Sequence, residues 1–194
     1  MTENPWITHS SRVMYKNAWI TVREDQVTRP DGKPGIYGVV ETRLATGVLA
    51  LTEADAVYLV GQYRYPMECY SWEIIEGGSD PGEDALEACK RELLEEAGLT
   101  AAQWEPLGGE IHLSNCHSSE RGYLYVARGL HEGEASPEGT EALQIRKVPW
   151  SEALAMVDSG EIQDALSIMA ILRYERVRHM QDASRAESER NFMD

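Results

Sequence analysis

Three glutamates near the middle of the chain, Glu92, Glu95 and Glu96, have the type and spacing of residues that bind a metal ion. They lie in a segment, residues 84–97, that has no Pro or Gly and is rich in helix-forming residues, so we predict a helix there. Positions i, i+3 and i+4 share one helix face, and three carboxylates on one face repel one another unless a cation neutralises them. A hard divalent cation with oxygen ligands would do so, and Mg²⁺ is the usual choice beside phosphates.

The flanking residues predict where this helix begins and ends. Asp80 suits an N-cap, Pro81 suits the first helical position, and Glu83 lies three residues after Asp80, as in a capping box. Gly98 suits a left-handed residue that ends the helix. We therefore expect the helix to start close to Pro81 and to stop at Gly98.

A solvated acidic helix face is the ordinary explanation for a run of glutamates. Here, however, Arg91 lies four residues before Glu95 and can hold that carboxylate, and the pattern constrains nine positions. The stretch resembles the signature of the Nudix hydrolases at all nine, which are Gly77, Glu83, Arg91, Glu92, Leu93, Glu95, Glu96, Gly98 and Leu99. The resemblance implies a strand–loop–helix–loop unit that binds Mg²⁺, or alternatively Mn²⁺, and hydrolyses a nucleoside diphosphate linked to another group.

Composition and charge narrow the possible partners. The chain has 194 residues and a formal net charge of −15, which disfavours nucleic acids and anionic membranes because binding to phosphate backbones needs a cationic surface. No apolar run is long enough to span a membrane, and the N-terminus lacks the features of a signal peptide. Three cysteines without metal-site spacing fit a reduced, cytoplasmic protein.

The segment Gln-Tyr-Arg-Tyr-Pro at residues 62–66 is similar to the Nudix subgroup that hydrolyses ADP-ribose and related nucleotide sugars. The resemblance implies that Arg64 contacts a phosphate or the terminal sugar, a task that suits a guanidinium. It also implies that Glu73 contacts substrate or metal, and that the backbone carbonyl of Glu76 ligates the metal. The chain departs from the subgroup at Ile75 and Glu76, where a Pro and a small residue are usual, and the extra carboxylate is able to alter metal number or substrate fit.

The N-terminal residues predict an antiparallel β-hairpin. Residues 12–28 and 36–42 have strand character and are separated by an Arg-Pro-Asp-Gly turn. In the resembling subgroup an N-terminal sheet of this kind, here residues 1–43, helps to form a homodimer, and its aromatic residues stack on the base. The resemblance places Trp19 and Tyr37 in this substrate-binding role, and the alternative is that both are packing residues.

Two loops in the C-terminal half contain further candidate site residues. The loop at residues 114–121 lacks the Pro common in ADP-ribose pyrophosphatases and is closer to nucleotide-sugar hydrolases of broader or different specificity, with Glu120 as a candidate substrate contact. In the resembling enzymes, the loop before the final strand donates a glutamate that acts as catalytic base or reaches a metal through water. Glu141 matches that position best, and Glu138 is the alternative.

The remaining elements follow from hydrophobic patterns and turn residues. Strands are predicted at residues 47–51, 56–65, 71–76, 104–113, 122–126 and 143–148. Helices are predicted at residues 150–158, with Ser151 as cap, and at residues 162–180, followed by a polar tail at 182–194.

We therefore predict a single α/β domain over residues 1–194, a Nudix-type α/β/α sandwich with a mixed sheet and an N-terminal antiparallel hairpin. The predicted reaction is Mg²⁺-dependent hydrolysis of the pyrophosphate bond of ADP-ribose or another nucleoside diphosphate sugar, giving a nucleoside monophosphate and a sugar phosphate. Two alternatives stay open: a Nudix hydrolase of another substrate class, such as dinucleoside polyphosphates or GDP-mannose, and a non-catalytic nucleotide-sugar sensor. The predicted catalytic residues are Glu141, Arg91 and Glu95, and the predicted metal ligands are Glu92, Glu95, Glu96 and Glu76.

Overall fold

The computed structural model describes residues 3–133 and 143–191. Its strands are β1 (Ile7–Lys16), β2 (Thr21–Thr28), β3 (Pro34–Glu41), β4 (Ala45–Ala50), β5 (Ala56–Arg64), β6 (Cys69–Glu73), β7 (Ile75–Gly78), β8 (Leu99–Pro106), β9 (Ile111–His112), β10 (Arg121–Glu132) and β11 (Gln144–Pro149). Its helices are α1 (Ala85–Ala97), α2 (Trp150–Ser159) and α3 (Ala165–Asn191). These elements form two compact units, which are described separately.

Unit 1 comprises Met1–Ala45 and Glu110–Gly122. Strands β1, β2 and β3 form an antiparallel sheet in that order, so the predicted hairpin carries a third strand. The single strand expected over residues 12–28 is wrong because the chain turns at Asn17. The side-chain oxygen of Asn17 accepts hydrogen bonds from the N–H groups of Trp19 and Ile20, both at 2.8 Å, which is how Asn closes a turn.

Unit 2 comprises Thr46–Gly109 and Tyr123–Asp194. It contains a sheet with the order β7-β4-β10-β8 and a second sheet with the order β11-β5-β6. Helix α1 packs on β7 and β8, whereas α2 packs on β5, β11 and α3. The predicted α/β fold class with N-terminal antiparallel strands is therefore confirmed.

The core of unit 2 fixes the orientation of α1. Cys89 and Leu93, four residues apart on this helix, are fully buried and join a cluster with Val48, Ile75, Leu99 and other apolar residues. Burial raises the pKa of the Cys89 thiol to about 12, which identifies it as a core residue rather than a nucleophile. Burying a side chain of the size of Leu93 contributes about 1.5–3 kcal/mol, so the apolar stripe holds the adjoining acidic positions of α1 in place, and Glu96 is itself buried.

The start of α1 differs from the sequence prediction. The helix begins at Ala85, and Asp84 is its N-cap because its side chain accepts a hydrogen bond from the Leu86 N–H. Asp80 and Glu83 do contact each other, but they close a separate turn before the helix. Gly82 has φ +85°, a left-handed conformation that interrupts a helix, and this explains the later start. The end of α1 is as expected, with Gly98 at φ +64°.

The bounds of several other strands and helices also differ from the sequence prediction. The strand expected at residues 71–76 is split at Ile74 into β6 and β7, and the strand expected at 104–113 is replaced by β8, which begins at Leu99, and the short β9. Ser151 makes no cap bond, since Pro149 is the N-cap of α2. Helix α3 starts only at Ala165, because Asp164 accepts the Ser167 N–H at 2.7 Å, and it extends to Asn191.

Across the two described ranges, none of the helices combines the length and the apolar character needed to cross a membrane.

The cap assignment yields a stability prediction. We expect Asp84→Ala to lower the free energy of unfolding by about 1 kcal/mol, since it removes the acceptor for the Leu86 N–H. Urea denaturation followed by circular dichroism measures this loss. Glu87→Ala, in the first turn of the same helix, is the control and is expected to cost less than about 0.5 kcal/mol. Equal effects of the two substitutions would contradict the assignment of Asp84 as the cap.

Candidate active site

Arg91 is the centre of the hydrogen bonding on the acidic face of α1. Its Nη1 donates to Glu92 Oε1 at 2.8 Å and to Glu95 Oε2 at 2.9 Å. Its Nε and Nη2 donate to the two carboxylate oxygens of Glu83 at 3.1 and 3.0 Å, and Nη2 also donates to the carbonyl of Gly78 at 2.9 Å. One guanidinium therefore binds three carboxylates and the last residue of β7.

These contacts shift the pKa values of Glu83 and Arg91. The bond from Arg91 holds the pKa of the Glu83 carboxyl below its ordinary value. The bonds to Glu83, Glu92 and Glu95 in turn raise the pKa of Arg91, so the guanidinium stays charged. Because charge-assisted, forked contacts are stronger than neutral hydrogen bonds, Arg91 offsets much of the repulsion among the carboxylates.

The signature glycine Gly77 is needed because Glu92 lies directly against it. A Cβ atom on Gly77 would come within 2.1 Å of the Glu92 carboxylate carbon, so no other residue fits without displacing that carboxylate. The carbonyl of Gly77 accepts a hydrogen bond from the Thr46 hydroxyl at 3.2 Å. Thr46 of strand β4 thus helps to fix the part of β7 against which Glu92 lies.

Glu96 connects α1 with β7. Its side chain is buried, with the residue only 3% exposed, and its Oε2 accepts the backbone N–H of Glu76 at 3.2 Å. The backbone of Glu76 therefore lies next to a predicted metal ligand. This contact gives the peptide at Glu76 a fixed position relative to the acidic face of α1.

The side chain of Glu76 contacts α3. Its Oε1 accepts a hydrogen bond from the Ser167 hydroxyl at 3.2 Å, while the same Ser167 oxygen accepts the Ile74 N–H at 3.0 Å. Burial, together with the negative charges of Asp164 and Glu73, raises the pKa of Glu76 well above its ordinary value. The carboxyl that departs from the subgroup pattern is thus part of the packing between β7 and the start of α3.

Arg64 and Glu73 form an ion pair on the second sheet of unit 2. The Nε of Arg64 donates to both carboxylate oxygens of Glu73 at 2.9 and 3.0 Å, and Nη2 donates to Glu73 as well. Glu73 is only 1% exposed, whereas 39% of the Arg64 side chain is exposed. Burial alone would lower the pKa of Arg64, but the contact with Glu73 raises it above the usual range, so this guanidinium also stays charged.

The oxygen atoms on the acidic face suit a hard divalent cation. Glu92, Glu95 and Glu96 offer carboxylates, and the Glu76 peptide is bound to Glu96. Within residues 3–133 and 143–191, no three His, Cys, Asp or Glu side chains converge closely enough to enclose an ion. Mg²⁺ keeps several waters and is commonly held by one or two carboxylates together with substrate phosphates, so a partly open oxygen site fits it.

Trp19, Tyr37 and Glu120 belong to unit 1. Trp19 lies in the turn between β1 and β2 and is 70% exposed. Tyr37 is half-buried in β3, where its hydroxyl donates to the Cys116 carbonyl at 2.6 Å and its ring packs edge-on against Trp6 at 5.2 Å. Tyr37 therefore has packing contacts of its own.

Glu120 is half-buried and lines a cavity in unit 1, and its backbone N–H donates to the Ser118 hydroxyl at 3.0 Å. Both candidates for the catalytic base, Glu141 and Glu138, lie outside the described residues.

Three residues of this region escaped the sequence reasoning: Thr46, Asp164 and Ser167. Each contacts or faces the signature strand from far along the chain, as Thr46 does across 31 residues and Ser167 across 91. A Thr in a strand and a Ser in the first turn of a helix are ordinary there, so no local signal could have identified them.

Comparisons with known proteins agree with this geometry. The model of the NUDIX domain matches residues 41–169, and the model of the nucleoside diphosphate sugar hydrolase N-terminal domain matches residues 6–40. The chain therefore belongs to the Nudix family and is a Nudix hydrolase. Enzymes of this family generally use divalent metal ions.

Particular relatives refine the comparison. The ADP-ribose pyrophosphatase of Mycobacterium tuberculosis (strain ATCC 25618 / H37Rv) is 32% identical over 175 residues, which cover 89% of this chain and 84% of that protein. The ADP-ribose pyrophosphatase of Bacillus subtilis (strain 168) is 28% identical over 166 residues, which cover 84% of this chain and 89% of that protein. The crystal structure of an ADP compounds hydrolase has the same fold, with a TM-score of 0.82 at 20% identity over 93% of this chain and 98% of the other.

The raised pKa of Glu76 yields a prediction for the metal-free protein. We expect Glu76→Gln to increase the free energy of unfolding at about pH 8, and the gain to shrink as the pH falls towards the ordinary glutamate value of 4.5. The wild-type carboxyl takes up a proton on folding, so its folding becomes less favourable as the pH rises above that value. Gln keeps an oxygen that can accept the Ser167 hydroxyl and carries no charge.

Urea unfolding in EDTA at about pH 5 and about pH 8 measures both effects. Glu87→Gln, on the exposed side of α1, is the control and should show no comparable pH-dependent gain. A loss of stability in Glu76→Gln that is the same at both pH values would contradict the expected protonation.

Proposed function

We propose that this chain hydrolyses the pyrophosphate bond of ADP-ribose or another nucleoside diphosphate sugar, with Mg²⁺ as cofactor, to a nucleoside monophosphate and a sugar phosphate. The observation that carries the proposal is the acidic face of α1, where Arg91 holds Glu92 and Glu95 and also binds the Gly78 carbonyl at the end of β7. Support for the substrate class comes from the match of residues 6–40 to the nucleoside diphosphate sugar hydrolase N-terminal domain and from the ADP-ribose pyrophosphatase relatives.

The residues that would hold the metal are Glu92, Glu95, Glu96 and the backbone carbonyl of Glu76. When bound, a divalent cation would neutralise the diphosphate and lower the pKa of the attacking water. Arg91 fixes the orientation of Glu92 and Glu95, so their oxygens are already positioned before substrate arrives. Glu96 is oriented instead by the N–H of Glu76.

Arg64 is our candidate for the contact with a substrate phosphate or the terminal sugar. Glu73 is too buried to be a direct substrate contact, so we assign it the role of holding Arg64 in position. An arginine that is already fixed loses less side-chain entropy when it binds a phosphate. Trp19, Tyr37 and Glu120 remain candidates for contacts with the nucleotide or sugar.

The substrate can be identified with a panel assay. Purified protein is incubated with Mg²⁺ and one of ADP-ribose, GDP-mannose, ADP-glucose, UDP-glucose or a dinucleoside polyphosphate, and a phosphatase that attacks only monoesters then releases phosphate. We expect turnover of one or more nucleotide sugars, reduced at least about 100-fold in Glu96→Gln because a metal ligand is lost. Glu87→Gln, on the same helix, is the matched control and should retain turnover.

Two outcomes of the panel would reject the proposal. Turnover of the dinucleoside polyphosphate alone would assign the chain to another substrate class. Tight nucleotide binding without turnover of any compound would show a non-catalytic sensor.

The assignment of the base is tested separately. We expect Glu141→Gln to lower kcat by roughly 10²–10⁴-fold with a smaller change in KM, since a general base acts on the attacking water rather than on substrate binding. Steady-state kinetics with the best substrate of the panel measures both constants. Near-wild-type turnover of Glu141→Gln would reject this role, and Glu138→Gln and Glu120→Gln would then be assayed in the same way.

We also propose that the chain is a homodimer. Strand β1 lies at the edge of its sheet, and every residue in it is exposed, including Ile7, Val13 and Tyr15. An exposed edge strand with apolar side chains favours association.

Light scattering coupled to gel filtration should give about twice the chain mass of 21.8 kDa. Val13→Glu should shift the mass towards that of the monomer, whereas Arg12→Glu serves as the matched control for added charge on the same strand. A wild-type mass of one chain would reject the dimer.

A further inference from the structure

Strand β7 places the proposed metal ligand Glu76 directly before two consecutive glycines, Gly77 and Gly78. The carbonyl that would bind the metal belongs to the peptide that joins Glu76 to Gly77, which we call the 76–77 peptide. Glycine has no Cβ atom, so its backbone is less restricted than that of any other residue. A side chain at Gly77 would meet the Glu92 carboxylate, so the 76–77 peptide depends on other contacts for a fixed orientation.

A buried hydroxyl of β4 fixes the Gly77 end of the 76–77 peptide. Thr46 Oγ1 donates to the Gly77 carbonyl at 3.2 Å, and Thr46 is completely buried. Strands β4 and β7 are neighbours in one sheet, so this side-chain contact adds to their pairing. Leaving a buried hydroxyl without a partner is costly, which favours the contact over any other orientation of the Gly77 carbonyl.

A second buried hydroxyl, from the first turn of α3, fixes the Glu76 end. Ser167 is completely buried, and its Oγ accepts the Ile74 N–H at 3.0 Å and donates to Glu76 Oε1 at 3.2 Å. The Ser167 N–H donates to Asp164 Oδ2 at 2.7 Å, so the start of the helix holds Ser167 itself in place. Ser167 therefore binds both the residue that precedes β7 and the side chain of Glu76.

The two hydroxyls act on opposite faces of β7, because successive residues of a strand point to opposite faces. Glu76 is directed at α3, whereas Gly77 lies against Glu92 of α1. A backbone ligand has no side-chain torsion of its own, so its orientation is set by the contacts of the two residues that it joins. Contacts that orient metal ligands typically change metal affinity by about 10–100-fold when they are lost.

We propose that Thr46 and Ser167 are positioning residues of the metal site, which fix the 76–77 peptide and thereby set the affinity for the divalent cation. Each acts through that peptide and not as a ligand. Loss of either hydroxyl leaves the carboxylates of α1 unchanged and weakens metal binding. The inference rests on the proposed function, from which it takes the Glu76 carbonyl as a ligand.

The test is Mn²⁺ titration of the full-length protein without substrate, followed by electron paramagnetic resonance. Thr46→Val keeps the shape of the side chain without its hydroxyl, and Ser167→Ala removes the other hydroxyl. Each is expected to weaken Mn²⁺ binding by roughly tenfold, whereas Thr46→Ser, which keeps the hydroxyl, should stay within about twofold of wild type. Ser184→Ala, whose hydroxyl donates to the Met180 carbonyl on the exposed part of α3, is the control and should match wild type.

A further control separates positioning from a general loss of stability. Ala153→Gly, inside α2, should lower the melting temperature and leave Mn²⁺ affinity unchanged, since α2 packs on β5, β11 and α3. Thermal unfolding shows whether each variant folds. A hydroxyl variant that does not fold is replaced by the corresponding Cys, whose thiol is similar in size and only a weak donor.

The double variant tests whether both hydroxyls act through one peptide. Because release of either end already frees the 76–77 peptide, Thr46→Val combined with Ser167→Ala should weaken Mn²⁺ binding by less than the product of the two single effects. A loss equal to that product would overturn the shared role.

The dependence of turnover on metal gives a second measurement. Raising the Mg²⁺ concentration should return kcat of Thr46→Val and Ser167→Ala towards the wild-type value, because the lost quantity is metal affinity. A kcat that stays low at saturating Mg²⁺ would overturn a role limited to metal affinity.

The Mn²⁺ titration also distinguishes this inference from the proposed function. Wild-type affinity in both Thr46→Val and Ser167→Ala, or an equal loss in Ala153→Gly, overturns the inference, while turnover of a nucleotide sugar would still support the proposed function. Weakened Mn²⁺ binding in both hydroxyl variants without turnover of any nucleotide sugar supports the inference and rejects the proposed function. A wild-type protein that binds no Mn²⁺ overturns both.

Discussion

The positive charge of Arg91 is the constraint on which the acidic face of α1 depends. Glu83, Glu92 and Glu95 all bind this one guanidinium, and it also holds the Gly78 carbonyl. Like charges so close together would otherwise force one another to take up protons. By binding these carboxylates in place, Arg91 keeps their oxygens in fixed positions where a cation could bind. A divalent metal would complete this neutralisation, which explains why a chain of net charge −15 could bind a diphosphate at all.

Strand β7 connects the acidic face of α1 with helix α3 of unit 2. On one side, the Glu76 N–H binds Glu96 of α1, and on the other, the Glu76 carboxyl binds Ser167 of α3. The packing of α3 thus helps to position a peptide that lies beside the predicted metal ligands. The Glu76 carboxyl thus gives this chain a polar contact between its signature strand and its last helix.

The sequence was most informative where structure depends on neighbours along the chain. The body of α1 and its end at Gly98 followed from helix propensity and the conformational freedom of glycine. The start was misplaced because the left-handed conformation of Gly82 was not apparent from the local pattern. Thr46 and Ser167 could not be found at all, since their contacts with the signature strand depend on tertiary packing between distant segments. The family, which depends on nine fixed positions, was predictable, whereas the substrate was not.

The measurement that tests the role of the acidic face most directly is Mn²⁺ binding, followed by electron paramagnetic resonance, in parallel with metal-dependent hydrolysis of ADP-ribose. We expect wild type and Glu87→Gln to bind Mn²⁺ alike and to lose turnover when the metal is removed. Glu92→Gln and Glu96→Gln should each bind Mn²⁺ at least roughly tenfold more weakly and lose most turnover. Wild-type Mn²⁺ affinity in both glutamine variants would contradict the assignment of this face as the metal site.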